Sequence, residues 1–98
     1  MTANEIILNK TINEMHRHYD MAYTLSISDY NFSTKAKAAE VRKTINDEEW
    51  EMHGAASLGV SLLREFEAEE EVKSILKAEE MLYTKFQSLR AMAKAKRV

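Results

Sequence analysis

The sequence predicts an all-α fold: a three-helix antiparallel bundle whose long C-terminal amphipathic helix is coiled-coil-like. Three observations predict it. The 98 residues contain no proline and only two glycines, Gly54 and Gly59. Apolar residues recur at alternating steps of three and four over most of the chain, which holds them on one helical face. One stretch, Ser26 to Ser33, breaks that pattern with residues that bond locally to the backbone. Residues 1–98 read as a single helical domain, with helices over about 3–25, 34–53 and 57–95.

The first helix opens on Thr2-Ala-Asn-Glu5, the spacing of a capping box, in which the threonine hydroxyl accepts from the Glu5 amide. Leu8, Ile12, Met15, Tyr19 and Ala22 follow in a heptad-like seam, and Met21 and Leu25 form a second row that widens the face. In the Ser26 to Ser33 connection, Ile27, Tyr30 and Phe32 alternate with polar residues, and Phe32 is expected to tuck into the core.

Ser33 or Thr34 caps the second helix. Its stripe is Ala38, Val41, Ile45 and Met52, interrupted by Glu48, with Trp50 off the stripe. Gly54 follows His53 as a helix-stopping glycine does, so a break is expected there. The rival reading continues the helix and uses Gly54, Ala55, Ala56, Ser57, Gly59 and Ser61 as a small-residue face. Charge register favours the break. A turn near residue 55 sets Arg42 and Lys43 against the Glu67 to Glu70 region. A turn near residue 65 sets Asp47 and Glu49 against Glu79 and Glu80, and Lys35 and Lys37 against Lys94 and Lys96.

The third helix has the cleanest pattern: Ala68, Val72, Ile75, Glu79, Leu82, Phe86, Leu89 and Ala93, polar only at Glu79. Beginning near residue 57, it would be nearly 60 Å long, at about 1.5 Å per residue. Shorter partners cover about half of such a helix. Leu82, Phe86 and Leu89 would then lie bare, and a second copy is expected to cover them as a homodimer interface.

Composition narrows the function. Charged residues make up 31% of the chain with a net charge of -2, which marks neither a dedicated nucleic-acid binder nor an acidic mimic of one. The absence of cysteine excludes disulfides and thiolate metal sites and fits a reducing compartment. Residues 1–10 lack a basic segment followed by a long apolar run, so no signal peptide is read. No apolar stretch approaches the roughly 20 residues that span a bilayer. A cytoplasmic protein without membrane attachment is expected. No serine sits in a nucleophile elbow, and neither glycine sits in a phosphate-binding loop, so no enzyme and no cofactor is expected.

Candidate sites are few. Trp50 and Met52, with the acidic residues Glu67 and Glu70, are the expected interface for a protein partner, since tryptophan concentrates at binding hot spots. Arg90, Lys94, Lys96 and Arg97 can contact nucleic acid, although basic residues at a helix C-terminus also complement its dipole. Glu14 and His18, and Glu49 and His53, are pairs four apart that a metal-binding bundle could use. None of the histidines has the Glu three residues before it that di-iron bundles use. Glu48 and Glu79 at stripe positions are expected to reach water, pair with cations or set register. The expected function is a non-enzymatic interaction module, a small adaptor, inhibitor or regulator of the kind common among phage and mobile-element accessory proteins by composition. A nucleic-acid-binding regulator and then a metal-binding bundle follow as alternatives.

Overall fold

The computed structural model describes residues 1–96. Among these, three helices run antiparallel in chain order: α1 (Ala3–Ser26), α2 (Lys35–Glu65) and α3 (Glu69–Ala95). A 3-10 turn, Asp29–Phe32, lies between α1 and α2. Each helix packs on the other two, giving a rod 49 Å long and about 17 Å across its backbone.

Local chemistry sets the helix starts. The Glu5 amide donates to the Thr2 hydroxyl at 3.1 Å, and that hydroxyl donates to the Glu5 carboxylate at 3.2 Å. Thr34, not Ser33, caps α2, accepting from the Lys37 amide at 3.1 Å. At the end of α1 the Ser26 hydroxyl donates to the Ala22 carbonyl, and the Asn31 side chain donates to the Leu25 carbonyl. The first is the back-bond of a helical serine to the carbonyl four residues earlier, and the second occupies a carbonyl the helix leaves free. Phe32 is buried, as expected.

The core is the sum of the three predicted stripes. Met15 and Ala22 of α1 meet Ala38, Val41, Ile45 and Met52 of α2 and Val72, Ile75, Leu82, Phe86 and Leu89 of α3. Leu8, Ile12 and Tyr19 pack against its edge. Met21 and Leu25, the expected second row, are exposed.

Helix α2 does not break at Gly54. It continues through both glycines to Glu65, because its inner face stays buried through Ala56, Gly59, Val60 and Leu63. That burial outweighs the roughly 1 kcal/mol that each interior glycine costs. Gly59 has a packing reason: a Cβ there would overlap the side chain of Thr11, so the glycine lets α1 approach α2. Gly54 has none, since nothing lies within 4 Å of its would-be Cβ.

The turn falls a dozen residues later and contains no glycine. The Ala68 amide donates to the Leu63 carbonyl at 3.0 Å and the Glu67 amide to the Arg64 carbonyl at 3.1 Å. Together these bonds make a Schellman motif. The left-handed position is filled by Glu67, at φ 55°. Leu63 and Ala68, the two positions at which apolar residues accompany the motif, are both buried in the core.

Helix lengths are therefore matched at 24, 31 and 27 residues, and α2 rather than α3 is the longest. The length mismatch behind the expected C-terminal dimer is absent. Leu82, Phe86 and Leu89 lie in the core of the single chain, and Phe86 meets the Tyr19 ring edge-on at 5.3 Å.

Candidate functional site

Two features of the bundle carry the residues singled out by sequence. The first is a polar belt at the middle of the rod. With the turn at Glu67, α2 and α3 do bring Glu49 and Glu79 together, the like-charge meeting that the register reasoning counted against this turn. His53 stands between them. Its Nδ1 lies 2.6 Å from the Glu79 carboxylate and its Nε2 lies 2.9 Å from the Glu49 carboxylate. The ring thus bridges the two carboxylates, one nitrogen within hydrogen-bond reach of each. Arg90 adds a cation from α3. Its guanidinium pairs with Glu49 and donates to the Asn46 and Gln87 side-chain oxygens at 2.8 Å.

A matching set joins α1 to α2. His18 Nδ1 lies 2.6 Å from Glu48, and Nε2 lies 3.4 Å from Glu14. Glu14 is also held by Arg17, whose hydrogen bonds keep its carboxyl below the usual range. Glu48 and Glu79, read as irregularities in apolar stripes, are thus the cross-helix partners of two histidines. The pairs Glu14 with His18 and Glu49 with His53 do form, as spacing predicts. They fall in two separate sets, and each set's carboxylates lie at opposite edges of its ring rather than converging on one point. No group of three or more such side chains among the described residues is arranged to hold a metal ion.

The second feature is the outer face of α2. Trp50 is 79% exposed, Leu58 66%, Leu62 41% and Phe66 59%. Together with Gly54 they occupy every fourth position and form one slanting ridge. The sequence placed Trp50 off the core stripe, and the structure shows why: the core face is filled by Ile45, Glu49, Met52 and Ala56, leaving the indole outward. Met52, grouped with Trp50 as a partner contact, is instead fully buried. Glu67 and Glu70 lie exposed at the turn end, away from Trp50. The lower part of the ridge was missed because Leu58, Leu62 and Phe66 were assigned to the helix after the expected break and Trp50 to the helix before it.

The basic candidates are partly occupied. Arg90 belongs to the belt. Lys96 reaches back across the end of the rod, donating to the Ser26 carbonyl at 3.2 Å and pairing with Asp29 at 3.1 Å. Lys94 stays exposed and, with Arg42, Asn46 and Arg90, lines a cleft of about 380 Å³. Arg97 lies outside the described residues. Among those described, no helix is long and apolar enough to cross a membrane.

Compared with known proteins, the chain matches no family model, no curated protein and no solved structure.

Proposed function

We propose that this chain is a non-enzymatic protein–protein interaction module, a small adaptor, inhibitor or regulator that works by presenting helical faces, chiefly the outer face of α2. The exposed ridge of Trp50, Leu58, Leu62 and Phe66 supports this reading. Single exposed apolar residues are ordinary, but an aligned row that includes the only tryptophan has the makeup of a hot spot. The polar belt does not compete for the role, since its groups are spent on one another across the helices.

Affinity capture from the native host's lysate, with and without nuclease, tests the reading. The wild-type chain is expected to retain a stoichiometric protein that survives nuclease. The Trp50→Ala chain is expected to lose it at unchanged far-UV circular dichroism. Equal capture by both chains would remove the ridge from the interface.

A second reading, nucleic-acid binding, has one observation in its favour: Arg42 and Lys94 add their charge to one cleft beside Arg90. It predicts captured material that disappears with nuclease, and a salt slope that falls when Arg42 and Lys94 are replaced by alanine.

A further inference from the structure

Resting on the reading of the α2 ridge as a protein interface, we infer that its occupant is a second copy of this chain, packed antiparallel about a two-fold axis at Gly54. The upper part of the ridge, Trp50 and Leu58, is self-complementary about that point, while Leu62 and Phe66 lie opposite Asn46 and Arg42 of the other copy. Trp50 and Leu58 lie four residues to either side of Gly54, so a two-fold axis there sets each tryptophan on the other copy's Leu58. A groove lined by Lys10, Glu14, Leu58 and Leu62 flanks the position where the indole arrives.

Gly54 itself gains a purpose. Its backbone is helical, with no positive φ, and its would-be Cβ meets open space. Neither conformation nor packing within the chain calls for glycine there. At the axis of a helix pair, the missing side chain lets the two backbones approach closely.

Charge selects the orientation. In the antiparallel register Lys43 faces Glu65, Asp47 faces Ser61 and Glu51 faces Ser57, and all six are exposed. No like charges meet among these pairs. A parallel pairing would set Lys43, Asp47, Glu51 and Glu65 each against its own copy. On the scale of the rod, the antiparallel register sets the acidic turn, Glu65 to Glu71, near the Lys35, Lys37 and Lys43 segment of the other copy. Among the described residues of one chain Lys43 pairs only with Asp47, at 3.9 Å, with both side chains largely exposed.

Light-scattering mass over a concentration series, with single-cysteine variants, tests this. The chain has no cysteine of its own, so each introduced thiol reports one position. The expected result is a mass twice the 11.3 kDa chain at high concentration. A mixture of Lys43→Cys and Glu65→Cys chains should cross-link under mild oxidation, with little cross-linking of Lys43→Cys alone. Gly54→Leu, whose side chain has room in the single chain, should raise the dissociation concentration about tenfold or more at unchanged helicity. A monomer at every concentration would overturn the dimer and leave the ridge to a different protein. A dimer indifferent to both Gly54→Leu and Trp50→Ala would overturn this dimer surface, whereas the ridge reading falls separately, on equal partner capture by the wild-type and Trp50→Ala chains. Self-cross-linking of Lys43→Cys as fast as the mixture would overturn the antiparallel register.

Discussion

His53 on α2 bonds Glu79 on α3 at 2.6 Å, and this contact joins two helices whose facing carboxylates would otherwise repel. The consequence for stability is specific. His53→Ala leaves Glu49 and Glu79 facing each other with only Arg90 to offset them. Breaking a fully buried pair costs about 3–5 kcal/mol, but these side chains are partly solvated, so a loss of about 1–2 kcal/mol is expected. Replacing both His53 and Glu79 with alanine should cost less than the sum of the His53→Ala and Glu79→Ala losses. Urea midpoints of the two single variants and the double variant measure the coupling. Strictly additive losses would show that the contact does not tie the helices.

The two glycines should respond in opposite directions. Gly54→Ala, measured where the chain is monomeric, should stabilise it by up to about 1 kcal/mol, since the added methyl meets open space. Gly59→Ala must push Thr11 aside and should destabilise by about 1–3 kcal/mol. Thermal unfolding of both variants decides the matter, and equal shifts would contradict the α1–α2 packing at Thr11.

Glu67 holds a left-handed backbone that costs a residue with a Cβ about 1–2 kcal/mol. Glu67→Gly removes that cost and adds freedom to the unfolded chain. A net gain of about 1 kcal/mol is expected, seen as a higher Tm. A lower Tm would mean that the turn is not a Schellman motif.

Phe86→Ala should cost about 3–5 kcal/mol in the monomer, because the ring is fully buried within one chain. A variant that weakens self-association at unchanged monomer stability would instead return Phe86 to an interface between chains.

Tyr19 gives the pH dependence. Burial, and then the charges of Tyr23 and Asp20, push its phenol pKa above the ordinary value. For an acid the neutral form is then favoured in the fold. Its contribution is constant at neutral pH, declines as pH rises past the ordinary tyrosine range, and levels off above the raised value. Chemical denaturation from neutral to alkaline pH should show a shallower decline for Tyr19→Phe than for wild type. Parallel curves would contradict the half-buried setting.

The helices and their inner faces were legible in the sequence because burial writes a regular period. Met15, Ile45, Ile75 and Phe86 could be placed from spacing alone, and so could the cap at Thr2. The turn was not legible, because the signals inverted. Gly54 looks like a stop but is carried through by the buried face on either side of it. The true stop uses a glutamate in a conformation that usually selects glycine. That single error moved the helix ends, exposed Leu82, Phe86 and Leu89 on paper, and divided the ridge. The belt was half legible: spacing of four found Glu14 with His18 and Glu49 with His53. Their partners Glu48 and Glu79 come from neighbouring helices, and a sequence states no distance between helices.

The most direct test uses Trp50, since the chain has no other tryptophan. Its emission and its quenching by acrylamide should be followed from dilute to concentrated protein. An exposed indole at low concentration, shifting to shorter wavelength and losing quencher access as dimers form, is the expected result. An indole that stays exposed and freely quenched at every concentration would contradict self-association through this face.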